Sequence, residues 1–211
     1  KVAVVNGIAY PSNVNYQYGF MSGVNYAKAK YDAKAEYVEI PSYAGTDVTN
    51  KNVGGNYIGN FSDEATGKVV GKALLDKGVD IMLVAAGGSG NGVFTAVKEA
   101  GNAQVIGCDV DQYDDGANGD KNIILTSVLK VMHSNVEKQL EKVLDGSFKG
   151  ENALLGADTD STGYVSADGR QQLSAETLEK LADVYKKVQS GEIVPAANFN
   201  NMTPDNFTGL K

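Results

Sequence analysis

The stretch VDIMLVAAGGSGNGVFTAVKEAG, Val79 to Gly101, followed by VIGCDVDQ, Val105 to Gln112, constrains the fold of this chain more than any other. An unbroken apolar run that ends in Gly-Gly and passes into a helical pattern predicts a strand covered on both faces, as in a parallel sheet. The apolar run after the helix completes a β-α-β unit, and its carboxyl end carries Asp109 and Asp111. In open α/β sheets, loops and helix N-termini converge beyond the carboxyl ends of the strands, so a small polar ligand is expected there.

Composition removes several alternatives. With 211 residues, 42% hydrophobic and 21% charged, the chain can bury a core as one large domain or two small ones. The net charge is −7 and Arg170 is the only arginine. A nucleic-acid surface needs a positive stripe and phosphate recognition favours arginine, so neither partner fits. The lone Cys108 excludes an internal disulfide and a cysteine-built zinc site, and its place within VIGCDV reads as packing. No run approaches the ~18 apolar residues of a membrane span, and no basic-then-apolar leader precedes Lys1. The chain opens directly on the strand KVAVVNG without an initiator methionine, so we expect an upstream portion.

Periodicity and capping give the element order. Strands are expected at 1–6, 35–40, 79–86, 104–108 and 123–127, with shorter ones near 153–155 and 163–165. Helices are expected at 14–31, 63–77 and 91–100, across KVMHSNVEKQLEKVLDG, and from Ser174 to about Ser190. The segment 112–121 reads as a polar loop and IVPAANFNNMTPDNFTGLK as an extended tail.

AAGGSGNGVFTAVKEAG, VIGCDVDQ, LTSVLK, VLDG and the closing GEI-VP, in this order and spacing, resemble the second half of the basic membrane protein family. The opening KVAVVNGIAYPSNVNYQYGFMSGVNYA is similar to the first strand and helix of that family's second lobe. The resemblance implies a bacterial lipoprotein that binds nucleosides, typically purine nucleosides, for an ABC transporter permease. The implied fold is α/β: two Rossmann-like lobes of the type I periplasmic-binding-protein kind, with ligand between them. On that reading, residues 1–122 form the second lobe and 123–150 cross the hinge and pack on a first lobe, which is largely missing here. Residues 151–211 then return to the second lobe. The apolar face of the helix after the crossing is then orphaned, which predicts self-association, rearrangement or a partner chain. The implied location is extracytoplasmic, with a lipid anchor in the full-length protein; no cofactor and no chemistry are expected.

Five residues are candidates for ligand contact. Phe61, in GNFSDEATGK, reads by itself as a staple ahead of a helix; the resemblance makes it an aromatic that stacks on a nucleobase. Gly87 and Gly88 let backbone approach a ligand at a helix N-terminus, although GGSG satisfies neither the dinucleotide nor the P-loop pattern. Asp109 can accept two hydrogen bonds from the vicinal hydroxyls of a ribose. Lys130 matches the family lysine that joins those contacts. Strand alternation places Asp111 on the same face as Asp109, where it joins them, orients the following loop or binds the hinge. Tyr10 and Asn13 are candidates for the cleft rim. His133, the only histidine, has no triad or zinc motif around it and reads as a surface residue, and DQYDDGANGD lacks the EF-hand spacing. Two other functions compete: a sugar or nucleoside hydrolase using Asp109 and Asp111, and a ligand-sensing regulatory domain of the same fold.

Overall fold

The computed structural model describes residues 1–211. In chain order the elements are β1 (Val2–Asn6), α1 (Pro11–Tyr31), β2 (Gly45–Thr46), β3 (Asn52–Gly54), α2 (Glu64–Asp76), β4 (Ile81–Ala85) and α3 (Ser89–Ala100). They continue with β5 (Gln104–Asp109), β6 (Ala117–Asn118), β7 (Lys121–Asn122), β8 (Ile124–Lys130), α4 (Met132–Leu144), β9 (Thr162–Tyr164) and α5 (Ala175–Gln189). Five strands form one sheet in the order β1-β4-β5-β8-β9, parallel except for the antiparallel last pair. The α/β class expected from the β-α-β pattern is therefore the observed one.

The main core lies between this sheet and the helix pair α2 and α3. Val5, Met82 and Val84 of the strands pack with Val70 and Leu74 of α2 and Val93 and Val97 of α3. The two helices approach backbone to backbone near their N-termini: a Cβ built on Gly92 would stand 1.9 Å from the Glu64 carbonyl oxygen, and one on Gly67 2.0 Å from that of Ser89. Asp63 caps α2 by accepting from the Thr66 amide at 3.0 Å. Together, the close packing and the cap fix the turn that carries Phe61.

Helix α1 is anchored to its surroundings by buried polar side chains beside the buried Val14 and Tyr26. Its buried residues include Asn13, Gln17 and Ser22. Asn13 donates to the Ala85 carbonyl at 2.8 Å, and Gln17 donates to Val53 and accepts from the Tyr57 hydroxyl. Ser22 accepts from the Ala196 amide. A buried polar group is tolerated only with such partners, and here they serve in place of an apolar stripe. Pro11 at the first turn starts this helix three residues earlier than the apolar spacing suggests, in line with the fixed φ of proline.

Two expected strands are corrected. Residues 35–40 touch β1 only through a parallel bridge between Val2 and Tyr37. Beyond that bridge the buried Asn56 amide inserts, donating to Val4 and Val38 and accepting from the Ile40 amide. Residues 56–58 then take over beside Asn6. Residues 153–155 form no strand at all, and Leu154 and Leu155 are exposed. The last parallel strand, β8, runs three residues past the expected end, to Lys130. The tail is tied down: Ile193 and Phe207 pack with Tyr26 of α1, and Val194 bridges Thr208.

Helix α4 has no buried residue. Val136, Leu140 (58% exposed), Val143 and Leu155 line an open groove of about 280 Å³ with Asn135 and Gln139. Among helices of a folded domain, such an apolar stripe normally faces a neighbour.

Candidate functional site

The site is assembled at the carboxyl ends of β1, β4, β5 and β8. After β1 comes Gly7, and after β4 the turn Gly87-Gly88 that opens α3. Phe61 bridges these two turns. A Cβ on Gly7 would lie 2.2 Å from the Phe61 ring, so the ring rests directly on the Gly7 backbone. The carbonyl of Phe61 accepts from the Ser89 amide at 3.1 Å, which occupies one free N–H of the helix terminus. The amides of Gly87 and Gly88 make no hydrogen bond within the chain, and both residues are exposed. Gly87 has φ 54, a left-handed conformation natural to glycine.

Tyr10 lies beside Phe61, with ring centroids 6.1 Å apart and planes inclined by 35°. It is 48% exposed. The two rings make an apolar corner able to receive a flat ligand edge. Asn13, the other expected rim residue, is instead buried beneath the site, holding the end of β4.

Asp109 ends β5 in the left-handed region at φ 69, a conformation that Asp tolerates better than most residues. Its carboxylate accepts from the Tyr16 hydroxyl at 2.8 Å on Oδ1 and meets Lys130 Nζ at 3.0 Å on Oδ2. Burial alone would raise this carboxyl, but hydrogen bonds from Tyr16 and Lys130 together with the ammonium charge hold it below its ordinary range. The Asp109 and Lys130 side chains keep 41% and 51% of their surface exposed, so this wall of the site faces outward. The Cys108 thiol lies 3.5 Å from the same Oδ1. Burial, with the neighbouring carboxylate adding to it, pushes the thiol up to about 12, so it stays protonated at neutral pH. Cys108 is therefore half-buried at the site edge rather than a plain core residue.

The structure separates Asp111 from Asp109. The left-handed turn at Asp109 ends the strand alternation, and Asp111 turns to Arg170, whose Nε donates to it at 2.7 Å. Arg170 also grips Asp114 with both terminal nitrogens, at 2.8 and 3.1 Å, and lies over the Tyr113 ring. These carboxylates hold the guanidinium above its ordinary range, Asp114 contributing most. Asp111 is thus a loop anchor, and the only arginine serves structure. With Asp111 committed in this way, the two-carboxylate arrangement that a hydrolase would use is not formed. No three His, Cys, Asp or Glu side chains converge as a metal site, and His133 is exposed on α4.

Two contributors escape the sequence reading. Gly7 carries a usable signal, since it follows its strand as Gly87 follows β4. Tyr16 carries none that sets it apart from the other tyrosines of GIAYPSNVNYQYGF.

A family model described as ABC transporter substrate-binding protein PnrA-like matches residues 43–198. Basic membrane protein D of Borreliella burgdorferi is 30% identical over 98% of this chain and 54% of its own length. The ABC transporter nucleoside-binding protein BmpA of Lactococcus lactis is 37% identical over 44% of this chain and 30% of its own. An ABC transporter solute-binding protein from Aeropyrum pernix has the same fold, with a TM-score of 0.72 at 22% identity over 95% of this chain and 58% of that one. The chain spans about half the length of the curated relatives it matches.

Proposed function

This chain belongs to the PnrA-like family of ABC transporter substrate-binding proteins, and from that premise we propose that it supplies one wall of a nucleoside-binding cleft. Members of the family are substrate-binding proteins and not enzymes. The observation that carries the nucleoside reading is the placement of an aromatic face and a paired carboxylate on one platform. Phe61 lies over Gly7 at one end, and Asp109 with Lys130 stands at the other. A base stacks on the first, ribose hydroxyls donate to the second, and the free amides of Gly87 and Gly88 donate to ligand oxygens between them. The nucleoside-binding relative from Lactococcus lactis supports the same ligand class. In the working protein the second wall comes from another lobe, closure traps the ligand, and the closed form meets a membrane permease outside the cytoplasm, held there by a lipid anchor.

Calorimetric titration with inosine, guanosine, adenosine, cytidine and uridine tests this reading. The full natural protein is expected to bind at least one of them stoichiometrically, and the 211-residue chain weakly or not at all, because half of the contacts are missing. Tight stoichiometric binding by the 211 residues alone would overturn the two-wall arrangement.

We also propose that 123–150 is the hinge-crossing segment and that the apolar stripe of α4 is covered by the other lobe. Alone, the chain is then expected to self-associate through that stripe. Sedimentation velocity should show a weight-average mass that rises with concentration, and Leu140→Asp should return it to the monomer value. A monomer at all concentrations would argue that the stripe is not a contact surface.

A further inference from the structure

We infer that Tyr16 is a positioning residue that orients the Asp109 carboxylate to receive a cis-vicinal diol. This rests on the reading of Asp109 as a ligand contact. The hydroxyl of Tyr16 reaches across from α1 to Oδ1 at 2.8 Å, while Lys130, from the neighbouring strand β8, reaches Oδ2 at 3.0 Å. A carboxylate at the end of a strand is free to turn about its side-chain bonds. Two donors from two different elements, one on each oxygen, fix its plane. Each carboxylate oxygen offers about two acceptor directions. Tyr16 and Lys130 each take one direction, and the Cys108 thiol, a weak donor at 3.5 Å, is the only other group on Oδ1. A diol hydroxyl arriving there displaces that weak contact, while the second hydroxyl meets the direction left on Oδ2.

Tyr16 suits this role better than a second cation. Burial raises its hydroxyl far above neutral, so it remains an uncharged donor at every working pH. It also leaves the electrostatic balance of the site to the single pair of Asp109 and Lys130. The titratable groups that face the carboxylate are Tyr16 from α1, Cys108 from β5 and Lys130 from β8. Of these, Tyr16 is the one donor that can be removed without changing charge or leaving a cavity larger than an oxygen atom.

The test compares Tyr16→Phe and Asp109→Asn with the unaltered full natural protein, titrated with inosine and with 2′,3′-dideoxyinosine. Tyr16→Phe is expected to weaken inosine by about ten-fold and to leave dideoxyinosine nearly unchanged. The acid limb of inosine binding should also move to higher pH, because the carboxylate loses a donor that stabilises its charged form. Equal losses for both ligands, or no loss for either, would overturn the positioning role. If Tyr16→Phe is neutral while Asp109→Asn abolishes the preference for inosine, the diol contact stands and only the role of Tyr16 falls. If Asp109→Asn is neutral, Asp109 is no ligand contact and the positioning role falls with it; if the unaltered protein binds none of the five nucleosides, the nucleoside reading and the positioning role both fall.

Discussion

Asp109→Asn in the full natural protein should weaken ribonucleoside binding by about 100-fold while leaving the melting temperature close to that of the unaltered protein. Asparagine tolerates the left-handed backbone that residue 109 adopts, φ 69, so the fold has no reason to shift. What changes is the donor and acceptor pattern. The amide retains one acceptor oxygen; its NH2 either faces the Lys130 ammonium, donor against donor, or faces the Tyr16 hydroxyl, which must then accept where it now donates. A hydrogen bond to a charged group contributes about 1.5–3 kcal/mol, and one such bond to the ribose is lost while the other becomes neutral. The pH dependence has a definite sign. Because the native carboxyl is held below its ordinary range, Asp109 is ionised at all pH values above the usual carboxylate pKa of about 3.9. Binding in the unaltered protein should therefore be flat from neutral pH down to that range and fall only below it. The Asn variant should be weak throughout. Unchanged affinity in Asp109→Asn would remove the carboxylate from the ligand contacts.

Gly92→Ala is expected to destabilise the fold by about 2 kcal/mol net. The added Cβ would lie 1.9 Å from the Glu64 carbonyl oxygen and 2.6 Å from the Lys68 nitrogen, both backbone atoms that no rotamer change can move. Overpacking of this kind costs about 3 kcal/mol, against about 1 kcal/mol that alanine gains over glycine inside a helix. The melting temperature should fall by about 6 °C. Gly23, on α1, is the matched control: it is exposed and has open space around the position of a Cβ. Gly23→Ala should therefore raise the melting temperature slightly, by about 2 °C. Thermal unfolding followed by circular dichroism distinguishes the two; equal behaviour would mean that α2 and α3 have room to separate. The same pair of helices carries the turn of Phe61 and the amides of Gly87 and Gly88, so loss of packing here should weaken the ligand as well.

The amino-acid sequence by itself determined the sheet. Unbroken apolar runs such as Ile81–Ala85 are statements about burial on both faces, and burial on both faces admits few layouts besides a parallel sheet. Gly87 speaks through local backbone chemistry, which needs no distant partner to be read. Tertiary structure decided the rest. Helix α1 was placed by hydrogen bonds of Asn13 and Gln17 to carbonyls far along the chain, and periodicity carries no mark of such partners. The expected strand at 35–40 was reduced to one bridge because the Asn56 amide competes for the same carbonyls. Asp109 and Asp111 look equivalent in the string VIGCDVD. One left-handed residue and the reach of Arg170 from 59 positions away part them, leaving one carboxylate to Tyr16 and Lys130 and tying the other into a loop. Local sequence encodes backbone conformation and burial, whereas the pairing of polar groups is settled only when the folded chain brings them within hydrogen-bond reach.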